Sequence, residues 1–265
     1  MEMNDQAADA AIELSGISQR FGEYTAVQNV NLKVAPGEFV AVVGPTGCGK
    51  STLLNVIAGL RQPAAGSVKV FGEPLRGLNR RAGYLFQQDA LLPWKTALEN
   101  AALGLTFNGA QQKDSRSLAR AWLAKVGLSG FENRYPHELS GGMRKRVALA
   151  QVLIMDPKIL LMDEPFSALD IQTRQLMENE LLRLWQEDQK SVLFVTHDLE
   201  EAIALADRVI VMSAGPASRP IGDFAIELTR PRDVTEIRLT EDFLKVHREV
   251  WALLREEVMR AHGQA

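Results

Sequence analysis

Residues 39–52 read Phe39-Val40-Ala41-Val42-Val43-Gly44-Pro45-Thr46-Gly47-Cys48-Gly49-Lys50-Ser51-Thr52, and their types and order point to phosphate chemistry. Gly44, Gly49, Lys50 and Ser51 satisfy G-x-x-x-x-G-K-[ST]. In that pattern glycines let backbone N–H groups approach phosphate oxygens, a helix N-terminus faces the anion, the lysine adds a point charge and the hydroxyl holds Mg²⁺. An apolar, β-branched run precedes the loop and a helical pattern from Leu53 to Leu60 follows it, so strand, phosphate loop and helix are expected in that order. Gly44, Pro45, Thr46, Gly47, Cys48, Gly49, Lys50, Ser51 and Thr52 are the expected contacts of a nucleoside triphosphate. Cys48, beside a helix start that lowers thiol pKa, is expected to face the phosphates as a reactive thiolate.

Two other polar clusters end apolar strand patterns: Lys158–Met162 runs into Asp163-Glu164, and Val192–Thr196 into His197-Asp198. Ligands of open α/β sheets bind beyond the carboxyl ends of the strands, where the phosphate loop also lies, so the three clusters should converge on one crevice. The chemistry uses both acids, Asp163 to hold Mg²⁺ and Glu164 to orient or deprotonate an attacking water. An Asp-Glu pair after a buried strand can also cap a helix, a reading the paired chemistry outweighs; His197 alone reads as a satisfied strand-end histidine, and its place in the crevice reverses that. Phe21 alone reads as a partly buried anchor before it reads as a stacking platform.

The elements that must position these groups are less sharply marked. Short strands are expected at Ile12–Ser15 and Val30–Val34, then at Glu38–Val43 after the Pro36-Gly37 turn, with further strands at Ser67–Phe71 and Gly83–Phe86. The sequence FQQDALLPWKT then leaves the sheet, and helical patterning lasts to about Leu153, an inserted helical layer over about 88–157. Within it Leu118, Trp122 and Val126 form a helical stripe expected in the core. Leu91, Leu92 and Trp94 are an apolar cluster that is either core or an interface anchor. Ser140-Gly141-Gly142 opens a helix toward Met155, with Ser140 as its cap and two glycines that leave N–H groups open to an anion. Arg144-Lys145-Arg146 reads as a solvated face. After Ser213 the periodicity weakens until Phe243, His247, Val250, Trp251, Leu254 and Val258 form a last helical stripe.

With 265 residues, 46% hydrophobic and 24% charged, the chain has ordinary globular usage. Its net charge of −3 and pI near 5.9 argue against a nucleic-acid partner, since such domains carry a basic surplus. Cys48 is the only cysteine, which with its place in the loop argues for a reducing compartment. No basic-then-apolar leader opens the chain, and no apolar run approaches the ~18 residues of a membrane span, so spanning at a membrane would fall to another chain.

Taken together, these residues resemble the nucleotide-binding subunit of ABC transporters over nearly the full chain. GPTGCGKS at 44–51 looks like its Walker A motif, Gln87 in LFQQ like the Q-loop glutamine and LSGGM at 139–143 like the signature. ILLMDE at 159–164 looks like Walker B, SALD at 167–170 like the D-loop and His197 like the switch histidine. The resemblance implies an α/β P-loop NTPase with a RecA-like core sheet, N-terminal antiparallel strands and an inserted helical subdomain, the cassette spanning 12–229 and a C-terminal extension 230–265. It implies ATP and Mg²⁺ as ligands, with Phe21 stacking on adenine and Ser51, Gln87 and Asp163 about the metal. Glu164, His197, Lys50 and Gln87 would serve hydrolysis. It also implies a head-to-tail homodimer in which Ser140, Gly141, Gly142 and Asp170 of one copy close over ATP held by the other.

Within the family, LLPW after the Q-loop and the late Arg230-Pro231-Arg232-Asp233 look like bacterial importers of the nitrate, sulfonate and taurine type. Transmembrane permease subunits, a periplasmic solute-binding protein and a place on the cytoplasmic face of the inner membrane follow as expectations. An exporter ATPase, or an ABC ATPase outside transport, is the alternative. Met143-Arg144 replaces the commoner glutamine-containing continuation of the signature, and Cys48 a frequent serine; neither change removes a phosphate contact.

Overall fold

In the computed structural model, which describes residues 9–107, 109, 111–261 and 263, the chain opens with an antiparallel pair, β1 (Ile12–Phe21) and β2 (Tyr24–Val34). Both exceed the expected short runs, because register shifts between Leu14 and Arg20 carry the ladder through polar residues that break the hydrophobic alternation. There follow β3 (Phe39–Val43), α1 (Lys50–Ile57), β4 (Ala65–Val70), β5 (Glu73–Pro74) and β6 (Ala82–Leu85). The helical layer is α2 (Ala97–Ala101), α3 (Leu103–Phe107), α4 (Gln112–Lys125), a 3-10 turn at Pro136–Glu138 and α5 (Gly141–Leu153). Then come β7 (Ile159–Asp163), α6 (Ile171–Asp188), β8 (Ser191–Val195), α7 (Leu199–Leu205), β9 (Arg208–Met212), β10 (Pro220–Ala225), α8 (Val234–Ile237) and α9 (Glu241–Ala261).

The strands form two sheets, an antiparallel one in the order β2-β1-β4-β5 and a six-stranded one in the order β10-β9-β3-β8-β7-β6. The larger sheet is parallel from β9 to β6, and β10 is its antiparallel edge. That edge strand lies in the stretch where periodicity fades; Pro220 opens it and a register shift separates Pro220 from Gly222, both tolerated at an edge.

Period-two alternation along β3 shows why its whole length is apolar. Val40 and Val42 pack toward the antiparallel sheet with Leu53, Leu54 and Ile57 of α1, while Phe39, Ala41 and Val43 face the helices on the other side. The stripe expected on α4 is displaced by one position. Ser115, Ala119 and Leu123 face the core, and Val126 just beyond the helix joins them, whereas Leu118 is exposed and the Trp122 ring lies against the Lys125 ammonium. Small Ala119 lets the helix seat closely, and the larger neighbours are left at the margin. In α9, Phe243, Val250 and Leu254 are buried as expected, and Trp251 is partly exposed, stacked on His247. Among the described residues no helix is long and apolar enough to cross a membrane.

Candidate active site

The loop after β3 is shaped by glycine. Gly47 and Gly49 have φ of 82° and 93°, and a Cβ at Gly49 would stand 2.5 Å from Val27 Cγ1, so only glycine lets the loop lie on β2. The first turn of α1 has no side-chain cap and no acidic residue, which leaves its N–H groups available to an anion. Lys50 is buried, and its Nζ donates to Gly44 O at 2.8 Å and Pro45 O at 3.2 Å. Thr46 is exposed on the loop, and Thr52 lies in the first turn of α1.

The expectation for the Cys48 side chain is overturned. It is buried in the apolar cluster between the sheets, close to Gly44 and Met212. Burial pushes its thiol up, with the Lys50 charge opposing. The hydrophobic packing of the loop against the sheet outweighs the helix start, so no phosphate-facing thiolate forms.

The ends of β7 and β8 lie next to that loop because β8 separates β7 from β3 in the sheet. Ser51 Oγ donates to Asp163 Oδ1 at 2.8 Å, and the Tyr84 hydroxyl to Asp163 Oδ2 at 3.3 Å. Burial raises the Asp163 pKa against the pull of these two donors, and it raises that of Tyr84, whose neighbour is the carboxylate. Glu164 adopts φ 44°, a strained conformation for a residue with a Cβ, held by its N–H to Val195 O at 2.8 Å and by Ser167 Oγ to its carbonyl at 3.0 Å. That backbone turn brings Glu164 Oε2 to 2.9 Å from His197 Nδ1. Gln87, Asp89, Glu164, Ser167 and His197 line one cleft of about 530 Å³.

Among the described residues no three His, Cys, Asp or Glu side chains gather as a metal cluster. The Ser51 hydroxyl and Asp163 carboxylate fit Mg²⁺ nevertheless, because that ion takes one or two protein oxygens and completes its shell with water and phosphate. No hydrogen bond joins Gln87 to Ser51 or Asp163; it stands on the Glu164 side of the cleft.

The remaining expected residues are placed elsewhere. Phe21 is half-exposed at the tip of the β1–β2 hairpin, with the Arg61 guanidinium 4.6 Å from its ring centre. Ser140 caps α5 by accepting from Met143 N at 3.3 Å, and Gly142 is buried where a Cβ would stand 2.6 Å from Thr173 Cγ2. Gly141 lies beside Leu169, and Asp170 caps α6 through Thr173 N at 3.0 Å. These four gather with one another, not with the phosphate loop of their own chain.

Two features escape a reading by residue type. Arg144-Lys145-Arg146 is no solvated face: Lys145 is buried, with its Nζ on Gln87 O at 2.6 Å and Asp89 Oδ1 at 3.0 Å. Arg144 Nε meets the other Asp89 oxygen at 3.0 Å and Arg146 donates to Val126 O at 2.8 Å. The Asp89 spacing from these cations carries no local signal. Trp94 is 70% exposed, which excludes a core role, but it does not line the neighbouring apolar groove of about 520 Å³, whose walls include Phe86, Ala90, Leu103, Phe107 and Met155.

The family model for "ABC transporter" matches residues 27–167, which contain the phosphate loop, Gln87, the capped glycines and the Asp163-Glu164 pair. The chain is 42% identical to the nitrate import ATP-binding protein NrtD of Synechocystis over 257 residues, 92% of this chain and 95% of that one. It is 43% identical to the taurine import ATP-binding protein TauB of Yersinia pestis over 205 residues, 77% of this chain and 80% of the other. The fold is similar to the dimeric structure of a post-hydrolysis state of the ATP-binding cassette MJ0796 bound to ADP and Pi. The TM-score is 0.72 at 34% identity, covering 82% of this chain and all of that one. With the fold and the site agreeing over these spans, the chain belongs to the ABC transporter family, as one of its ATP-hydrolysing cassettes.

Proposed function

We propose that this cassette powers solute import, with the loop at 44–52 holding the triphosphate and the Glu164–His197 pair acting on its γ-phosphate end. One observation carries the reading: Ser51–Asp163 and Glu164–His197, two hydrogen-bonded pairs from three chain segments, meet at the carboxyl ends of adjoining strands through the consecutive residues Asp163 and Glu164. Lys50 and the open N–H groups of α1 bind β- and γ-phosphate oxygens. Ser51 and Asp163 would hold Mg²⁺, with Gln87, on the Glu164 side, as the further expected contact; the ion would supply charge neutralisation of the triphosphate. Glu164 orients the attacking water and accepts its proton, and His197 holds the Glu164 carboxylate while facing the γ-phosphate. Little covalent chemistry is asked of the protein, so positioning and electrostatics supply the catalysis.

Phe21 stacks on the adenine from the hairpin tip. The Ser140-Gly141-Gly142 start of α5 and Asp170, one-sided within the chain, complete the site of a second copy in a head-to-tail homodimer, in line with the dimeric state of the MJ0796 cassette. In this reading the groove beside Phe86 and Phe107 receives a cytoplasmic helix of separate permease subunits, with the chain at the cytoplasmic face of the inner membrane. NrtD and TauB support import, fed by a periplasmic binding protein, of a small anion such as nitrate, a sulfonate or taurine. The test is to purify the chain with its permease, reconstitute both in vesicles and measure ATP-dependent uptake of these anions with the matching binding protein. Uptake confirms the reading; ATP-driven efflux, or a chain that binds its permease but drives no ATP-dependent uptake of any of these anions, overturns it.

A further inference from the structure

The Arg230-Pro231-Arg232-Asp233 run is left without a role by ATP binding, and in the structure it is a clamp on α7. Arg230 pairs with Asp207 at 2.7 Å, donates to Leu205 O at 2.7 Å and lies over the Trp185 ring. Arg232 is buried, and its Nη1 donates to Ala206 O at 2.7 Å and Ala204 O at 3.2 Å. These carbonyls close the C-terminal end of α7, where acceptors lack helical partners and the helix dipole favours a cation. Burial lowers the Arg232 pKa to about 10, which leaves it charged at neutral pH.

The same segment grips the other end of α7. Arg238, just past α8, makes two contacts to the fully buried Glu178 carboxylate, at 3.0 and 3.3 Å, and its Nε stands 4.0 Å from Glu200 in the first turn of α7. Glu178 lies one helical turn after Arg174 on α6. Arg174 donates to Asp198 Oδ2 at 3.2 Å and to Leu169 O at 3.2 Å. Asp198 is the cap of α7, accepting from Glu200 N at 2.9 Å and Glu201 N at 3.2 Å, while its own N–H donates to Thr196 Oγ1 at 3.0 Å; the Thr196 hydroxyl also bonds Glu201.

His197 sits between these two anchored neighbours. Its own side chain is 54% exposed and meets Glu164 through one hydrogen bond, so packing does not fix it; Thr196 and Asp198 do. From a second side, Trp251 and His247 of α9 wall a cavity that also contains Thr46 and His197.

We infer that residues 230–238 position the catalytic histidine, with Arg238 as the positioning residue that holds α7 and the 196–198 turn through Glu178 and the Arg174–Asp198 pair. The inference rests on the proposed role of Glu164 and His197 in hydrolysis. A displacement of the 196–198 turn would weaken the Glu164–His197 bond without touching Lys50 or the loop that binds phosphate. ATP turnover and ATP affinity should therefore separate.

The experiment compares Arg238→Ala, Arg238→Lys, Glu178→Gln, His197→Ala and the Arg238→Ala/His197→Ala pair in the full chain. Phosphate release at saturating ATP, equilibrium ATP binding and thermal melting are measured for each. Arg238→Ala is expected to lower kcat on the order of tenfold, with ATP Kd unchanged, partial recovery in Arg238→Lys and a similar loss in Glu178→Gln. The double variant should be no slower than His197→Ala, because both changes remove one function. A role in folding alone would lower the melting temperature and add to the His197 effect. If Arg238→Ala does not fold, Arg238→Lys and Glu178→Gln carry the comparison. A folded variant with normal kcat, an equal loss of ATP affinity, or additive losses overturns the inference alone. Normal turnover by His197→Ala overturns the active-site reading, and the positioning role falls with it.

Discussion

Two helices of this chain start on glycine-rich segments, and the contrast between them shows how one cassette holds two unequal halves of a site. The start of α1 has Gly49 at φ 93°, no side-chain cap, a buried lysine, and Ser51 bonded to Asp163, whose neighbour Glu164 is bonded to His197. The start of α5 is capped by the Ser140 hydroxyl, its glycines pack on Thr173 and Leu169, and Lys145 and Arg144 in its first two turns fasten Gln87 and Asp89. In the proposed reading the α1 end captures phosphate within its own chain, and the α5 end closes over the nucleotide held by a second copy. A helix N-terminus is therefore insufficient as a site, and the side chains across from it decide its use.

The largest test of that contrast is Glu164→Gln. Phosphate capture by α1 should persist while hydrolysis falls roughly 10²- to 10⁴-fold, the usual contribution of a positioned base. Gel filtration with ATP should then show an accumulated dimer, the α5 edge of each copy closed over the other. Near-normal turnover would remove Glu164 from the chemistry.

Lys50→Ala attacks the capture side. Loss of one charge-assisted phosphate contact, worth about 1.5–3 kcal/mol, should weaken ATP binding roughly 10- to 100-fold in a titration with a fluorescent nucleotide. Unchanged affinity would show that the backbone N–H groups suffice.

On the other side, Ser140→Ala should leave ATP affinity of the isolated chain unchanged and cost about 1 kcal/mol of stability through the lost cap, a shift in melting temperature of about 2–4 °C. ATP-induced dimerisation should weaken with it. A fall in monomer ATP affinity would contradict the division between the two helix starts.

The smallest effect concerns the acid buried behind His197. Burial raises the Glu201 pKa to about 8, with Glu178 and Asp198 adding to the rise and Thr196 and Arg174 opposing it. Between its unfolded value near 4.5 and about 8 the folded chain keeps a proton that the unfolded chain has released, so this group's contribution to stability falls as pH rises through that window. Glu201→Gln does not titrate, and its melting temperature should fall less steeply between pH 6 and 8 than that of the parent chain. An identical slope would place the titration elsewhere.

Much of the site was legible in residue order because its chemistry is local. The G-x-x-x-x-G-K-S run, the acids at the end of one apolar strand and the histidine at the end of another each needed only a strand-end assignment, and parallel strands then bring such ends together. Ser140 was legible as a cap for the same reason. The Cys48 orientation was not, since packing between two sheets rather than the adjacent helix start sets it. Nor was Lys145, because its partner Asp89 lies 55 to 56 residues upstream of the basic pair and no periodicity links them. The edge strand β10 was hidden by its proline and glycine, which an edge tolerates.

The linear order of residues was by itself sufficient for a nucleotide-binding phosphate loop with acids and a histidine at strand ends, because backbone-level phosphate recognition and strand-end placement are local properties; the cassette followed from the resemblance of the motif set to a known family. Only the tertiary structure decided that Asp163 meets Ser51, that a strained Glu164 meets His197, and that Arg232 and Arg238 hold α7 from both ends. Those contacts join residues far apart in the chain, and burial, which only the packed sheet and helices create, determines which of their charges must find a partner.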